Sequence, residues 1–180
     1  MKFFGHIIGL VAVISALSAN AADVGVRVGT YFFNPANVVI RPGDRVVWTN
    51  SSDRTHDTTS ATNLWRSGNI SRFSPNNIYA FTFTNIGYYP YRCIQHSSQP
   101  QTGAVSVVNI SLAAVTTTET NAQFDVRGGR QGLRAVVEAG GTLTAFAPIA
   151  TNIFPAAGTL RFTNNAPPGT NRFYRTRVIP

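Results

Sequence analysis

The chain has 180 residues, and its 15 lysines and arginines against seven carboxylates give a net charge of +8. It contains one cysteine, so no disulfide can form within it, and its stability must come from buried apolar surface or from a metal. The basic residues are scattered singly, without a basic run or a nucleic-acid motif. We therefore predict no nucleic-acid partner and a solvated basic surface that would suit an acidic partner protein.

Residues 1–21 are typical of a secretory signal peptide. Lys2 forms a basic head, an apolar run continues to about Ala19, and the small-residue pattern "ANA" follows. We predict a mature chain that begins near Ala22 and is periplasmic or extracellular. No later stretch reaches the ~20 apolar residues that a spanning helix needs, so we predict no transmembrane segment in the mature chain.

Residues 22–112 show β-type alternation and frequent turns. Val24, Val26 and Val28 share one face of the first predicted strand. The segment "NVVIRPGDRVVWTN" predicts two strands around a Pro-Gly-Asp turn, and "IYAFTFTNIGYYPYRC" predicts two more. Short strands, regular turns and no long helical pattern indicate an all-β protein built as a β-sandwich.

The rest of the chain is predicted to form a second, smaller unit. Residues 113–122 are polar, with three consecutive threonines, and we interpret them as a linker or a loose edge. Residues 123–180 contain further short β-type runs broken by Gly, Pro and Asn, which predicts a small β domain. At about 60 residues, such a domain is near the size at which a single hydrophobic core is barely enough to keep the chain folded.

The lone cysteine belongs to a specific spacing. Cys93 and His96 enclose a two-residue gap at the end of a predicted strand, and His56 follows another strand about forty residues upstream. A lone exported cysteine could pair with another chain or remain a reactive thiol. It could also be a metal ligand, and one thiolate with two imidazoles and a weak axial donor is the donor set of a blue copper site.

The residues around this set resemble the plastocyanin-like cupredoxins. The similar text comprises "FNPANVVIRPGDRVVWTNSSDRTHDTTS", "LWRSGNIS", "FTFTNIGYYPYRCIQH" and "TGAVSVV". The resemblance implies a Greek-key β-sandwich that binds one copper through His56, Cys93 and His96. The last part of the chain, which includes "EAGGTLTAF" and "RFYR", resembles a small C-terminal β module of exported bacterial proteins, which implies an accessory or surface-associating role.

One departure from the family pattern concerns the axial donor. Plastocyanin-like loops place a methionine five residues after the ligand histidine, whereas this position is Gln101 here, and Gly103 keeps the family's glycine. The predicted mature chain has no methionine, so a thioether donor from this chain is excluded. The resemblance therefore implies that the Gln101 amide oxygen is the axial ligand, with Gln99 as the alternative that would require a shorter loop.

The resemblance implies a type 1 copper protein that exchanges single electrons with a redox partner protein, which the net charge suggests could be acidic. The alternative is an exported copper storage or delivery module. We predict no enzymatic activity, because multicopper oxidases and copper nitrite reductases need histidines for a second copper centre. A hydrolytic triad on His56 and Asp57 is a weak hypothesis, since adjacent residues on a strand point to opposite faces.

Overall fold

A computed structural model describes residues 11–13, 21–73, 75–117, 121–165 and 172–180. The regular elements among these residues are all β-strands, which confirms the predicted all-β class. No helix in the described part of the chain is long and apolar enough to cross a membrane. The predicted signal peptide lies outside the described residues, apart from residues 11–13 and 21.

The chain divides into two compact units. The first spans Ser18–Val108 and the second contains Asn109–Pro180. The strands of the first unit are β2 (Asp23–Gly29), β3 (Phe32–Asn34), β4 (Asn37–Ile40), β5 (Arg45–Asn50), β6 (Thr59–Ser60), β7 (Ile78–Thr82), β8 (Gly87–Arg92) and β9 (Thr102–Val107). They form two four-stranded sheets, in the orders β3-β2-β5-β7 and β4-β9-β8-β6. The first unit is therefore the predicted β-sandwich.

The predicted strand pairs around the two turns are present, but their members belong to opposite sheets. β4 and β5 flank the Pro-Gly-Asp turn, and β7 and β8 flank the second predicted turn, yet each pair is divided between the sheets. In the first turn Gly43 has a φ of 97°, and the Asp44 carboxylate accepts hydrogen bonds from the Arg41 amide within the turn and from the distant Ala22 amide. These turns thus connect sheets, as Greek-key sandwiches require.

The core of the first unit extends to the ends of the strands that lead to the candidate site. Alternation in β5 buries Val46, Trp48 and then Asn50, and alternation in β8 buries Tyr91 and then Cys93 beyond the strand's end. Trp48 packs edge-on against Tyr91, with ring centroids 5.4 Å apart. The inward face of each strand is apolar along its length and ends in a polar or ligating side chain.

The second unit contains two sheets. Its strands are β1 (Val11–Val13), β10 (Ser111–Thr117), β11 (Asn121–Arg127), β12 (Arg134–Gly140), β13 (Ala147–Ile153), β14 (Thr159–Asn165) and β15 (Arg172–Ile179). The sheet orders are β1-β15-β12-β13 and β10-β11-β14. This unit contains the predicted additional β structure, while its resemblance to a module of exported proteins stays a prediction.

The segment interpreted as a linker or a loose edge includes parts of two strands, and the first of them lies at the edge of its sheet. Residues 113–117 lie in β10 and residues 121 and 122 lie in β11, which pairs antiparallel with β10. Threonine is β-branched and favours strands, so the polar composition does not prevent pairing. The boundary between the compact units falls between residues 108 and 109. Whether the two parts are independently folding domains stays a prediction.

Candidate metal centre

Three predicted site residues converge at one end of the first unit. One ligand atom from each of His56, Cys93 and His96 lies within 4.8 Å of the others. The Cys93 Sγ atom is 3.8 Å from His56 Nδ1 and 3.5 Å from His96 Nδ1. His56 is held by a two-way backbone bridge to Ile70, with N···O distances of 3.1 and 2.8 Å. The fold therefore brings together residues separated by forty positions.

These separations suit a shared ion. Bonds of about 2.0 to 2.3 Å from nitrogen and sulfur ligands to one metal place the ligand atoms about 3.5 to 3.8 Å apart. The observed Sγ–Nδ1 distances of 3.5 and 3.8 Å are in this range. One thiolate with two imidazoles is a donor set suited to copper, so the residues fit the ion that the sequence predicted.

Gln101 also reaches this centre, and it is 1% exposed. Its Oε1 atom lies 2.9 Å from His56 Nδ1, while its Nε2 donates to the carbonyls of Gly29 at 3.3 Å and Phe32 at 3.2 Å. These two carbonyls can only accept, so they fix the amide with its oxygen toward the His56–Cys93 pair. Gln99, the alternative donor, is exposed.

The far side of the His56 ring is fixed by a polar network from the end of β5. His56 Nε2 lies 2.9 Å from Ser52 Oγ, which in turn lies 3.0 Å from Asn50 Oδ1. The Asn50 amide donates to the carbonyls of Arg54 and Ile70, each at 2.7 Å. With an ion held at Nδ1, the proton of the neutral ring is on Nε2, and Ser52 Oγ is placed to accept it.

Asp57 connects the His56 segment to the ligand loop. Its Oδ1 accepts the amides of Ile94 at 2.7 Å and Gln95 at 3.3 Å, and its backbone amide lies 3.5 Å from Cys93 Sγ. The loop is closed by a bond from the Cys93 amide to the Gln101 carbonyl at 3.1 Å. Asp57 therefore anchors the loop that carries the thiol and the second imidazole.

In the metal-free site, burial favours the neutral forms of two donors, Cys93 and His56. It raises the pKa of the Cys93 thiol and lowers the pKa of the His56 imidazole. Both changes favour the neutral form, so a metal ion would meet a protonated thiol and must displace that proton on binding.

Sequence reasoning missed Asn50, Ser52 and Tyr31. Asn50 could have been found, because the alternation of β5 places it inward. Ser52 carried no signal, because its contact with His56 crosses a loop that has no fixed period. Tyr31 packs edge-on against His96, with centroids 5.1 Å apart, and is not close to it in sequence. His56 and Asp57 are both buried. The strand alternation rule, by which neighbouring side chains point to opposite faces, does not apply to them, because residues 55–58 lie outside the named strands.

The chain is similar in sequence to a curated plastocyanin. No family model matches the chain. Over 102 residues it is 35% identical to the chloroplastic plastocyanin of Tetradesmus obliquus, a match that covers 51% of this chain and 70% of that protein.

Similar solved structures include a methionine-to-glutamine variant of amicyanin with Cu(I), at 22% identity and a TM-score of 0.42, covering 47% of this chain and 81% of that one. A purple cupredoxin from Nitrosopumilus maritimus is 24% identical with a TM-score of 0.39, covering 49% of this chain and 99% of that one. On the sequence match to plastocyanin, the chain belongs to the plastocyanin family and contains a cupredoxin domain.

Proposed function

We propose that this protein is a copper-binding electron carrier with a type 1 site formed by His56, Cys93, His96 and Gln101. The observation that carries the proposal is the convergence of one thiol and two imidazoles within 4.8 Å at a buried end of a β-sandwich. Copper bound there would supply a one-electron Cu(I)/Cu(II) couple. The family membership supports the same class of function.

The surroundings favour a carrier over a storage or delivery module. His56, Cys93 and Gln101 are almost completely buried, and hydrogen bonds fix the His56 ring and the Gln101 amide. Such a site resists rearrangement when the charge of the ion changes, and it hinders release of the ion. His96 is the partly exposed member of the set, so its outer edge is the proposed point of electron exchange.

The remaining parts of the proposal concern the localisation of the protein and its redox partner. Residues 1–21 support export to the periplasm or beyond as a proposal from sequence. A redox partner protein is required by the carrier role. The mature chain has no histidines besides His56 and His96, so we expect no second copper centre and no oxidase chemistry.

A visible spectrum of the Cu(II)-loaded protein tests the proposal. We expect an intense thiolate-to-copper charge-transfer band that Cys93→Ser abolishes, while Ser97→Ala, a change of an exposed residue on the same loop, leaves it unchanged. A colourless copper-loaded wild type would refute the type 1 assignment. Competition with a Cu(I) chelator separates the two functions, because a carrier retains copper whereas a delivery module yields it readily.

A further inference from the structure

Two arginine–aromatic pairs lie on the surface beside His96. The Arg54 guanidinium carbon is 5.5 Å from the centroid of the Tyr31 ring, and the edge of that ring packs against His96. The Arg27 guanidinium carbon is 4.8 Å from the centroid of the Phe32 ring. We call the surface formed by Arg27, Tyr31, Phe32, Arg54 and His96 the hairpin rim, because the β2–β3 hairpin supplies three of its members.

The hairpin places its two aromatic rings by unusual local geometry. Tyr31 has a φ of 65°, a left-handed conformation that is strained for a bulky residue. The Phe32 ring covers Gly29 and would clash with a Cβ added there. Despite this cover of Gly29, Phe32 remains 39% exposed. A strained residue beside the proposed point of electron exchange makes this hairpin a candidate functional surface.

The hairpin rim has an uncompensated positive charge. Residues 22–108 contain seven arginines and four aspartates. Asp23 pairs with Arg45 and Asp53 pairs with Arg72, so these carboxylates are used elsewhere.

Asp44 and Asp57 accept backbone amides at the first turn and at the ligand loop, and neither forms an ion pair with a rim arginine in the described part of the chain. Within the described part of the chain, neither Arg27 nor Arg54 forms an ion pair with a carboxylate. Both side chains are exposed.

We propose that the hairpin rim is the docking surface for an acidic redox partner, whose carboxylates contact Arg27 and Arg54 while an apolar patch covers Tyr31 and Phe32. This inference rests on the proposed electron-carrier function and specifies its partner. Tyrosine and arginine are the residue types that most often dominate binding energy at interfaces. Complementary charge steers such encounters and orients the two redox centres.

The hairpin also connects the rim to the centre. The carbonyls of Gly29 and Phe32 hold the Gln101 amide at 3.3 and 3.2 Å, and the Tyr31 ring contacts His96. A partner seated on the rim would therefore lie against groups that touch two of the proposed ligands. This short connection suits electron exchange through the His96 edge.

Rates of oxidation of the Cu(I) protein by small complexes of opposite charge test the rim. The probes are hexacyanoferrate(III), an anion, and tris(phenanthroline)cobalt(III), a cation. At low ionic strength we expect Arg27→Glu/Arg54→Glu to lower the ratio of the anion rate to the cation rate by about tenfold, with the effect shrinking in high salt. The ratio removes most of the effect of any change in reduction potential.

Arg41→Glu is the matched control. Arg41 lies in the turn before the start of β5, whereas Asn50, which supports the candidate site, lies at the end of β5. We expect each single rim substitution, Arg27→Glu or Arg54→Glu, to lower the ratio of the anion rate to the cation rate several-fold more than this control does. Equal effects of the rim and control substitutions would overturn the proposal. If the copper-loaded wild type exchanges electrons with neither oxidant, the proposed function fails, and the next measurement still decides the rim.

That measurement is an NMR titration of the labelled full chain with an octaglutamate peptide, which needs no electron transfer. We expect shifts concentrated at residues 27–32, 54 and 96, and their loss in Arg27→Glu/Arg54→Glu. Shifts spread over all exposed arginines would overturn the proposal. So would rim shifts caused by vesicles containing phosphatidylglycerol but not by the peptide, since they would indicate a membrane surface.

Discussion

The side chain of Gln101 ends in two chemically different atoms, and the structure gives them different partners. The nitrogen donates to two backbone carbonyls, and the oxygen faces His56 Nδ1 at 2.9 Å. An amide oxygen is a harder donor than a thioether, so it favours Cu(II) over Cu(I). At the residue scale, the choice of glutamine is therefore expected to lower the reduction potential of the proposed site.

Substitution of Gln101 tests this expectation by voltammetry. Gln101→Met should raise the potential while the thiolate band remains, because His56, Cys93 and His96 are unchanged. Gln101→Leu, which offers no donor, should raise it further. Gln99→Met is the control. Gln99 is exposed, so its substitution should leave the reduction potential unchanged. Equal potentials in the wild type and both Gln101 variants would remove Gln101 from the ligand set.

Individual residues were predictable from sequence where a spacing or a period applied to them. The gap between Cys93 and His96 and the loop count to Gln101 led to side chains that the structure brings together. Ser52 and Tyr31 were not predictable, because their contacts with the histidines cross loops and no period relates the positions. The relative orientation of His56 and Asp57 was also not predictable, since a strand rule was applied outside a strand.

At the element scale, the ligand loop between Cys93 and Gln101 depends on a partner outside itself. Besides its closing bond and the turn bond from the Gln99 amide to the His96 carbonyl, at 2.8 Å, its attachments include Asp57 and the side chain of Gln101. The elements on either side were predictable, because alternation and turn residues determine strands locally. Their assignment to opposite sheets was not, since a turn sequence does not specify whether its strands pair with each other.

We expect Asp57→Ala to destabilise the metal-free protein by about 1–3 kcal/mol, because it leaves two partly buried loop amides without their acceptor. Asp57→Asn keeps one acceptor oxygen and should cost less. Asp53→Asn is the control, because Asp53 is in an exposed ion pair with Arg72, and such pairs contribute about 0–1 kcal/mol. Urea unfolding without copper measures all three. A loss in Asp57→Ala no larger than in Asp53→Asn would contradict the anchoring role.

At the scale of the whole molecule, the second unit places buried carboxylates under exposed arginines. Asp125 accepts hydrogen bonds from Arg161 at 2.9 Å and from Arg127 at 2.9 Å, and Glu138 pairs with Arg175 and Arg177. The bond from Arg161, followed by that from Arg127, lowers the pKa of Asp125 to about 2. Much of the basic charge of this unit is thus arranged around two acidic residues.

This arrangement predicts how the stability of the second unit depends on pH. The folded pKa of Asp125 is lower than its ordinary value of 3.8, so its contribution is complete above about pH 4 and is lost as the pH falls toward 2. Asp125→Asn should remove this part of the dependence. Urea unfolding followed through the methyl NMR signals of Val126 and Val137 measures it. Parallel curves for wild type and variant between pH 2 and 5 would contradict the prediction.

The last prediction concerns whether the first unit suffices for copper binding. Its main hydrophobic core consists of residues between Val26 and Val107, and every proposed ligand precedes residue 102. A chain of residues 22–112 should therefore fold and keep the thiolate band of the full chain. Residues 109–180 alone should be less stable, because a shorter chain buries a smaller fraction of its surface. The visible spectrum and thermal unfolding of both pieces decide the point. Loss of the band in the shorter chain would mean that the two units fold as one cooperative structure, and that the copper site depends on residues that provide none of its donors.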